Sequence, residues 1–338
     1  MRPVEPVLTV VSAARVVPPA CGLADWRREA LACWDDPAPQ AYRDLCRIAF
    51  DGTGLDPRGL CAQAPADGAD SPRAADSSQL ELARSAVQTL QPPWSAGTQT
   101  RLLLYATSGV DEDIFHSTAS CLAAELGASA VPHPGLGQLQ GASLDLAAAL
   151  LDQALPAPGA AGLFVAVERW PLPYPRLWGG SVLADGAAAL GFVRGHAVGL
   201  QYLGGVQHGH DPFVVVDGAR QAGIRRDALE QAAGQAIVAL QRAHPDVAVD
   251  GWLGCALDVA LDDRLRGRHA PAARHVLAAP PDAGQLGTIT AAGALAELHA
   301  RCAAGLVPHG CVLLAWNASL GGTVCASLWR VNRIGEDA

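Results

Sequence analysis

The sequence contains no lysine; all 24 of its basic residues are arginine. That excludes Schiff-base chemistry through a lysine amine and any phosphate-binding loop that relies on a lysine. No C-x-x-C pair occurs among the nine cysteines, so neither a zinc site nor a disulfide framework is indicated, and no metal or cofactor is expected. The thiols read as reduced, small, buried apolar residues, which fits a cytoplasmic location. No apolar run approaches the length of a membrane span. The first residues, broken by Pro3, Glu5 and Pro6, do not read as a signal peptide. Positive charge is scarce too. A net charge of −9 argues against nucleic acid or an anionic membrane as the main partner.

One further absence organises the rest. Residues 128–151, A-S-A-V-P-H-P-G-L-G-Q-L-Q-G-A-S-L-D-L-A-A-A-L-L, read as a short apolar strand, a glycine-rich turn and a long helix of small residues. An α/β enzyme seats a nucleophile on such a turn, where the helix dipole stabilises a thiolate. Here the turn offers Gln138, Leu139 and Gln140, and no cysteine.

With 338 residues, half of them apolar, the chain can bury a large core. Val7–Val17 reads as an opening strand, and 25–32 and 39–48 as helices. The stretch 62–79 is apolar-poor and reads as a flexible loop. Leu80–Leu90 has an amphipathic helical pattern. Strands are expected at 101–108 and 162–170, a helix at 117–126, and a hairpin-like pair at 187–194 and 196–204. From Arg226 the order repeats. Helices fall at 226–243, 258–268 and 291–304, and strands at 250–255, 275–279, 310–316 and 321–331. A repeated order of this kind implies a duplicated α/β unit, with one half at 1–195 and the other at 196–338.

Four segments carry a resemblance. They are L-L-L-Y-A-T-S-G at 102–109, S-T-A-S-C-L-A-A-E-L-G at 117–127, L-A-D-G-A-A-A-L at 183–190, and the closing run from Leu306 to Val331. In that order they resemble the thiolase-fold condensing enzymes, specifically the β-ketoacyl-carrier-protein synthase III branch, over nearly the whole chain. The resemblance implies an α/β thiolase fold with duplicated βαβαβαββ halves in an αβαβα layered arrangement. It also implies a Cys–His–Asn triad in which the cysteine takes the acyl group as a thioester and the other two stabilise an enolate. Carried onto this chain, the cysteine position falls on Leu139, or on Gln138 or Gln140 if the register slips. The histidine position falls on Ala256, with Cys255 and Leu257 on either side, and the asparagine position on Thr288. All three triad positions are vacated. The pattern is similar to the chain-length factors of aromatic polyketide systems, and to the inactive subunit of the heterodimeric enzyme that makes alkylquinolones. It implies a non-catalytic subunit that pairs with an active ketosynthase III-like partner, or with itself, on acyl-carrier-protein or coenzyme A thioesters.

Other residues invite chemistry and have a plainer reading beside it. His208, His210 and Asp211 form the tightest titratable cluster and suit a general base or a ligand contact, or else a polar surface loop. They underlie the alternative of an acyltransferase or other thioester-using enzyme with a non-standard site. Ser143 is a substitute nucleophile on paper, although a hydroxyl inside a helix is expected to bond a backbone carbonyl. Cys121 reads as core and Cys255 as core beside the vacated histidine position. Asp185 and Gly186 read as a turn with close packing near a dimer axis. Trp26, Arg27 and Arg28 read as a solvated helix face, with phosphate contact as the alternative.

Overall fold

A computed structural model describes residues 6–22, 25, 28, 32, 70–72, 77–91, 99–109, 111, 116–170, 177–178, 181–182, 184–211, 213–216, 219–222, 226–255, 259–277, 287–319 and 321–332. The first half carries strands β1 (Leu8–Val16), β2 (Ala20–Gly22), β3 (Asp70–Pro72), β4 (Thr100–Thr107), β5 (Gly135–Gly137), β6 (Ala161–Glu168), β7 (Leu177–Trp178), β8 (Ser181–Val182) and β9 (Gly186–Arg194). The second carries β10 (Gly199–Gly209), β11 (Phe213–Val216), β12 (Ala219–Ala222), β13 (Gly251–Leu253), β14 (His275–Leu277), β15 (Val312–Ala318) and β16 (Thr323–Asn332). The long helices are α1 (Gln79–Gln88), α2 (Thr118–Glu125), α3 (Ser143–Ala154), α4 (Arg226–Ala243), α5 (Val259–His269) and α6 (Ile289–Ala303).

Local chemistry explains the helix ends. Ser78 caps α1, its hydroxyl accepting from the Glu81 amide while the Glu81 carboxylate accepts from the Ser78 amide, a reciprocal box. Ser117 caps α2 by a single one-way bond, its hydroxyl accepting from the Ser120 amide at 3.1 Å. The strands β4, β6 and β15 are continuous apolar runs because both of their faces are covered.

Ten strands form one sheet in the order β14-β13-β15-β16-β10-β1-β9-β6-β4-β5. Each half contributes five in the same sequence-relative order, third, second, fourth, fifth, first. In each half the second strand runs parallel to the third and fourth, and the remaining pairs are antiparallel. The halves join where β1 meets β10, with Leu8 opposite Tyr202 and Val10 opposite Leu200.

Three cores define the layers. One unites α1 and α2 with the first half-sheet through Leu82, Ala83, Leu122 and Leu163. Another unites α4 and α5 with the second half-sheet through Ile237, Leu240, Leu265 and Leu314. The largest holds α3 and α6 between residues of both half-sheets, including Leu104, Leu144, Leu151, Leu295 and Leu313. The result is the αβαβα layering of a thiolase fold. Gly186 illustrates the tightness of the middle layer, since a Cβ there would lie 2.6 Å from Ile289 Cδ1 and 2.8 Å from the Val16 carbonyl oxygen.

Several expectations are corrected. The hairpin expected from 187–204 is not one, because β1 inserts between β9 and β10 and pairs with both. The apolar run at 128–131 is turn, and the strand lies at Gly135–Gly137, where the Tyr105 amide reaches the Pro134 carbonyl. Within the expected loop 62–79, residues 70–72 form β3 against β2, and 62–69 and 73–76 lie outside the described residues. Of the two early helices, Asp25, Arg28 and Ala32 are described and helical; the remainder, with Trp26, Arg27 and all of 39–48, lies outside.

Candidate functional site

The turn after β5 has a strained backbone. Gln138 and Gln140 take φ of 58° and 44°, and are the non-glycine residues with positive φ among those described. They flank Leu139, whose φ and ψ are −95° and −8°. The Gln138 amide bonds the Thr107 carbonyl at 3.1 Å, tying the turn to the end of β4. A short 3-10 turn, Gln140–Ala142, then feeds α3. Left-handed backbone at a side-chain-bearing residue costs on the order of 1–3 kcal/mol and persists where the surroundings enforce it. The turn is therefore held in a strained form around Leu139, the residue on which the resemblance places the cysteine. Gln138 is exposed and Gln140 buried. Gln138→Gly is therefore expected to stabilise the fold, by ~0.5–1 kcal/mol once the glycine's extra chain entropy is set against the relieved strain. Urea unfolding of the two proteins checks it.

Cys325 approaches the Ala142 carbonyl at 4.0 Å, but it is buried, and burial together with the Asp145 carboxyl pushes its thiol far above the usual range. Cys255 is buried as well, and Cys121 is half-buried on α2. Ser143 is fully buried at the start of α3, and its Oγ has no hydrogen-bond partner among the described residues, so the expected bond to a backbone carbonyl is not made.

Thr288, on which the resemblance places the asparagine, is held in a buried polar network. Gly287, at φ 49°, turns the chain into α6, and a Cβ there would collide with the Glu168 side chain. Thr288, fully buried, donates to Glu168 Oε2 from its amide at 2.9 Å and from its hydroxyl at 2.8 Å. Ser108, just past β4, donates to the same oxygen at 2.7 Å and lies 2.7 Å from the Thr288 hydroxyl. Burial raises the Glu168 carboxyl above its ordinary range, opposed by the bonds from Ser108 and Thr288. Asp185, buried next along, accepts the Trp170 amide at 2.9 Å. The polar donors of Thr288 are thus spent on Glu168, and none is left for a substrate. Ala256 and Leu257 lie outside the described residues.

Ser108 and Glu168 escape a reading of local pattern. The available signal is a single glutamate ending an otherwise apolar, fully buried strand, A-G-L-F-V-A-V-E.

The His208 cluster lies elsewhere. His208 is on β10, paired with Val324, and His210 follows with its amide bonded to the Gly322 carbonyl at 2.7 Å. The segment expected as a loop is therefore a strand through Gly209, because the long β10–β16 ladder extends that far. His208 faces α4 and α5 across the sheet from α3 and α6. Both ring nitrogens of His210 are buried without a partner among the described residues, and Asp211 is exposed. Among the described residues no three His, Cys, Asp or Glu side chains converge as a metal ion would require. Arg28 is exposed and ion-paired with Asp25. No helix among the described residues is long and apolar enough to cross a membrane.

By sequence, neither a family model nor a curated protein matches the chain. By structure the likeness spans its length. It superposes on ChlB3, described as an acyltransferase, with a TM-score of 0.67 at 15% identity, over 97% of this chain and 98% of that one. It is similar to OleA of Xanthomonas campestris with bound lauric acid and lauroyl-CoA, at TM-score 0.67 and 15% identity, covering 96% and 99%. It is also similar to 3-oxoacyl-(acyl carrier protein) synthase III, FabH, of Xanthomonas oryzae pv. oryzae, at TM-score 0.67 and 14% identity, covering 96% and 99%. The fold is that of the thiolase-like condensing enzymes, in its synthase III form.

Proposed function

We propose that this protein is a non-catalytic, ketosynthase III-like subunit that pairs with an active condensing enzyme in fatty-acyl or polyketide-type specialised metabolism. The observation that carries the reading is the seat itself. Its strained turn is retained around Leu139, a side chain with no nucleophile, while Thr288 is bound up by Glu168. The partner would supply the thiolate and handle acyl-carrier-protein or coenzyme A thioesters, such as the lauroyl-CoA held by OleA. This chain would supply shape to the shared acyl pocket.

Pairing has a physical route. Among the described residues strand β5 ends the sheet, and the bonds from Tyr105 to Pro134 and from Gln138 to Thr107 turn residues 134 and 138 toward β4. By alternation the amides and carbonyls of Gly135 and Gly137 point outward, an open edge to which a second strand can add. Gly135→Pro, where an added Cβ meets nothing within 4 Å, is expected to lower the dimer fraction in light scattering while leaving the unfolding midpoint unchanged.

The decisive test is acyl loading. Incubated with lauroyl-CoA, this chain alone should gain no acyl mass, and an intact synthase III co-expressed with it should load and condense. Covalent loading or condensation by this chain alone would end the proposal. The alternative, thioester chemistry through His208, His210 and Asp211, predicts that His208→Ala with His210→Ala abolishes activity in the same assay. His208 lies on the other face of the sheet from Leu139, so that chemistry would use a separate site.

A further inference from the structure

A groove of about 550 Å³ lies on the outer face of the second half-sheet, between β10, α4 and α5. His208, Arg242, Arg268 and His269 line it, with Glu230 as the acidic side chain among them. Glu230 is already neutralised. Arg264 donates to its Oε2 at 3.1 and 2.9 Å from Nε and Nη2, and Arg268 donates to its Oε1 at 3.2 Å.

The other basic groups are uncommitted. The side chains of Arg242 and His208 make no hydrogen bond or ion pair with a described residue. Gln241 Nε2 bonds the His269 carbonyl at 2.9 Å and holds that residue's backbone in place. The His269 Nε2, however, is buried and has no partner among the described residues. Buried polar atoms are almost always satisfied, so this one calls for a group delivered from the groove. Gly234 keeps the approach open, since a Cβ there would sit only 3.6 Å from that nitrogen.

In a chain of net charge −9, uncommitted basic groups lining one concavity form a local positive field. Guanidinium and imidazole donors together suit the several acceptor oxygens of a phosphate. We infer that this groove binds a phosphate group, free or as a small phosphate ester, through Arg242, His208 and His269. The assignment does not rest on the pseudo-subunit reading, because the groove and the Leu139 seat lie on opposite faces of the sheet.

The test is thermal unfolding and 31P line broadening with inorganic phosphate and with glycerol 3-phosphate, at ionic strength fixed by sodium chloride. Phosphate should raise the unfolding midpoint with concentration, as a ligand of the native state does. The double substitution Arg242→Gln with His208→Gln should weaken apparent affinity at least tenfold. Gly234→Leu, which fills the groove from an otherwise helix-compatible position, should abolish the response without lowering the unliganded midpoint. Tighter binding of the ester marks an ester as the ligand, and equal binding marks the free anion; either supports the site. An unchanged titration in both variants, or an equal midpoint shift with sodium chloride in place of phosphate, would overturn it.

Discussion

Asp262→Leu is expected to destabilise the protein by ~2–4 kcal/mol, among the largest effects of any single substitution away from the central layer. Trp252 on β13 and Trp316 on β15 are both fully buried, and both indole N–H groups donate to Asp262 Oδ1, at 2.9 and 2.6 Å. A leucine leaves two buried donors without an acceptor, each at about 1–3 kcal/mol. Against this stands a gain. Burial raises the Asp262 carboxyl above its usual range, so removing it also removes an unfavourably placed charge. Two orphaned donors outweigh one relieved carboxylate. Asp262→Asn separates the terms, because its amide oxygen still accepts from both indoles, and it should match or exceed the parent at pH 8. Denaturant midpoints for the three proteins decide it. A leucine variant as stable as the asparagine variant would show that the indole bonds contribute nothing. The clamp has a functional consequence as well. It fixes α5, which forms one wall of the groove between β10, α4 and α5.

Much of this architecture was legible because it is written in local patterns that occur twice. The helix at 226–243 falls where its apolar spacing places it, and the β15–β16 hairpin follows from two apolar runs around a glycine turn. What local pattern cannot carry is which distant strand comes between two neighbours. Ala187–Arg194 and Gly199–Gly204 are close in sequence with a glycine between them, yet β1, almost two hundred residues earlier, lies between them and pairs with both. Strand β5 was hidden for another reason. Gly135, Leu136 and Gly137 have little strand preference, and only pairing to Tyr105, Ala106 and Thr107 makes them a strand.

The site divides the same way. That the turn at 138–140 holds no cysteine is plain from residue types, and Leu139 cannot attack a thioester whatever its surroundings. That Gln138 and Gln140 hold left-handed backbone is a property of the turn's anchoring to β4, not of glutamine. Glu168, Ser108 and Thr288 are separated by 60 and 120 residues along the chain, so their meeting is a product of the layered fold. That network bears on the proposed function. A lost nucleophile alone is one substitution, whereas a network that ties up Thr288 would also have to be undone before the pocket could stabilise an enolate.

The acid side of the stability profile should be set in part by Asp145. This residue lies in the first turn of α3, buried, and its Oδ2 accepts from Asn317 Nδ2 of β15 at 2.8 Å, linking the two halves. Burial raises its carboxyl from 3.8 to about 6, against hydrogen bonds from Ser327 and Asn317 that favour the charged form. The folded state therefore holds the proton more tightly than the unfolded one. Its contribution is fully present below pH 3.8, is lost as pH rises through the window to about 6, and is constant above that. Two units correspond to ~3 kcal/mol across the window. Asp145→Asn keeps an acceptor for Asn317 and cannot ionise. It should be more stable than the parent at pH 8, and the advantage should shrink toward zero as pH falls to 4. Glu168 and Asp262 are raised by burial too and slope the same way in both proteins, so the difference between the curves isolates Asp145. Parallel curves from pH 4 to 8 would mean that Asp145 stays ionised in the fold. The dipole of α3 and the Asn317 bond would then outweigh its burial.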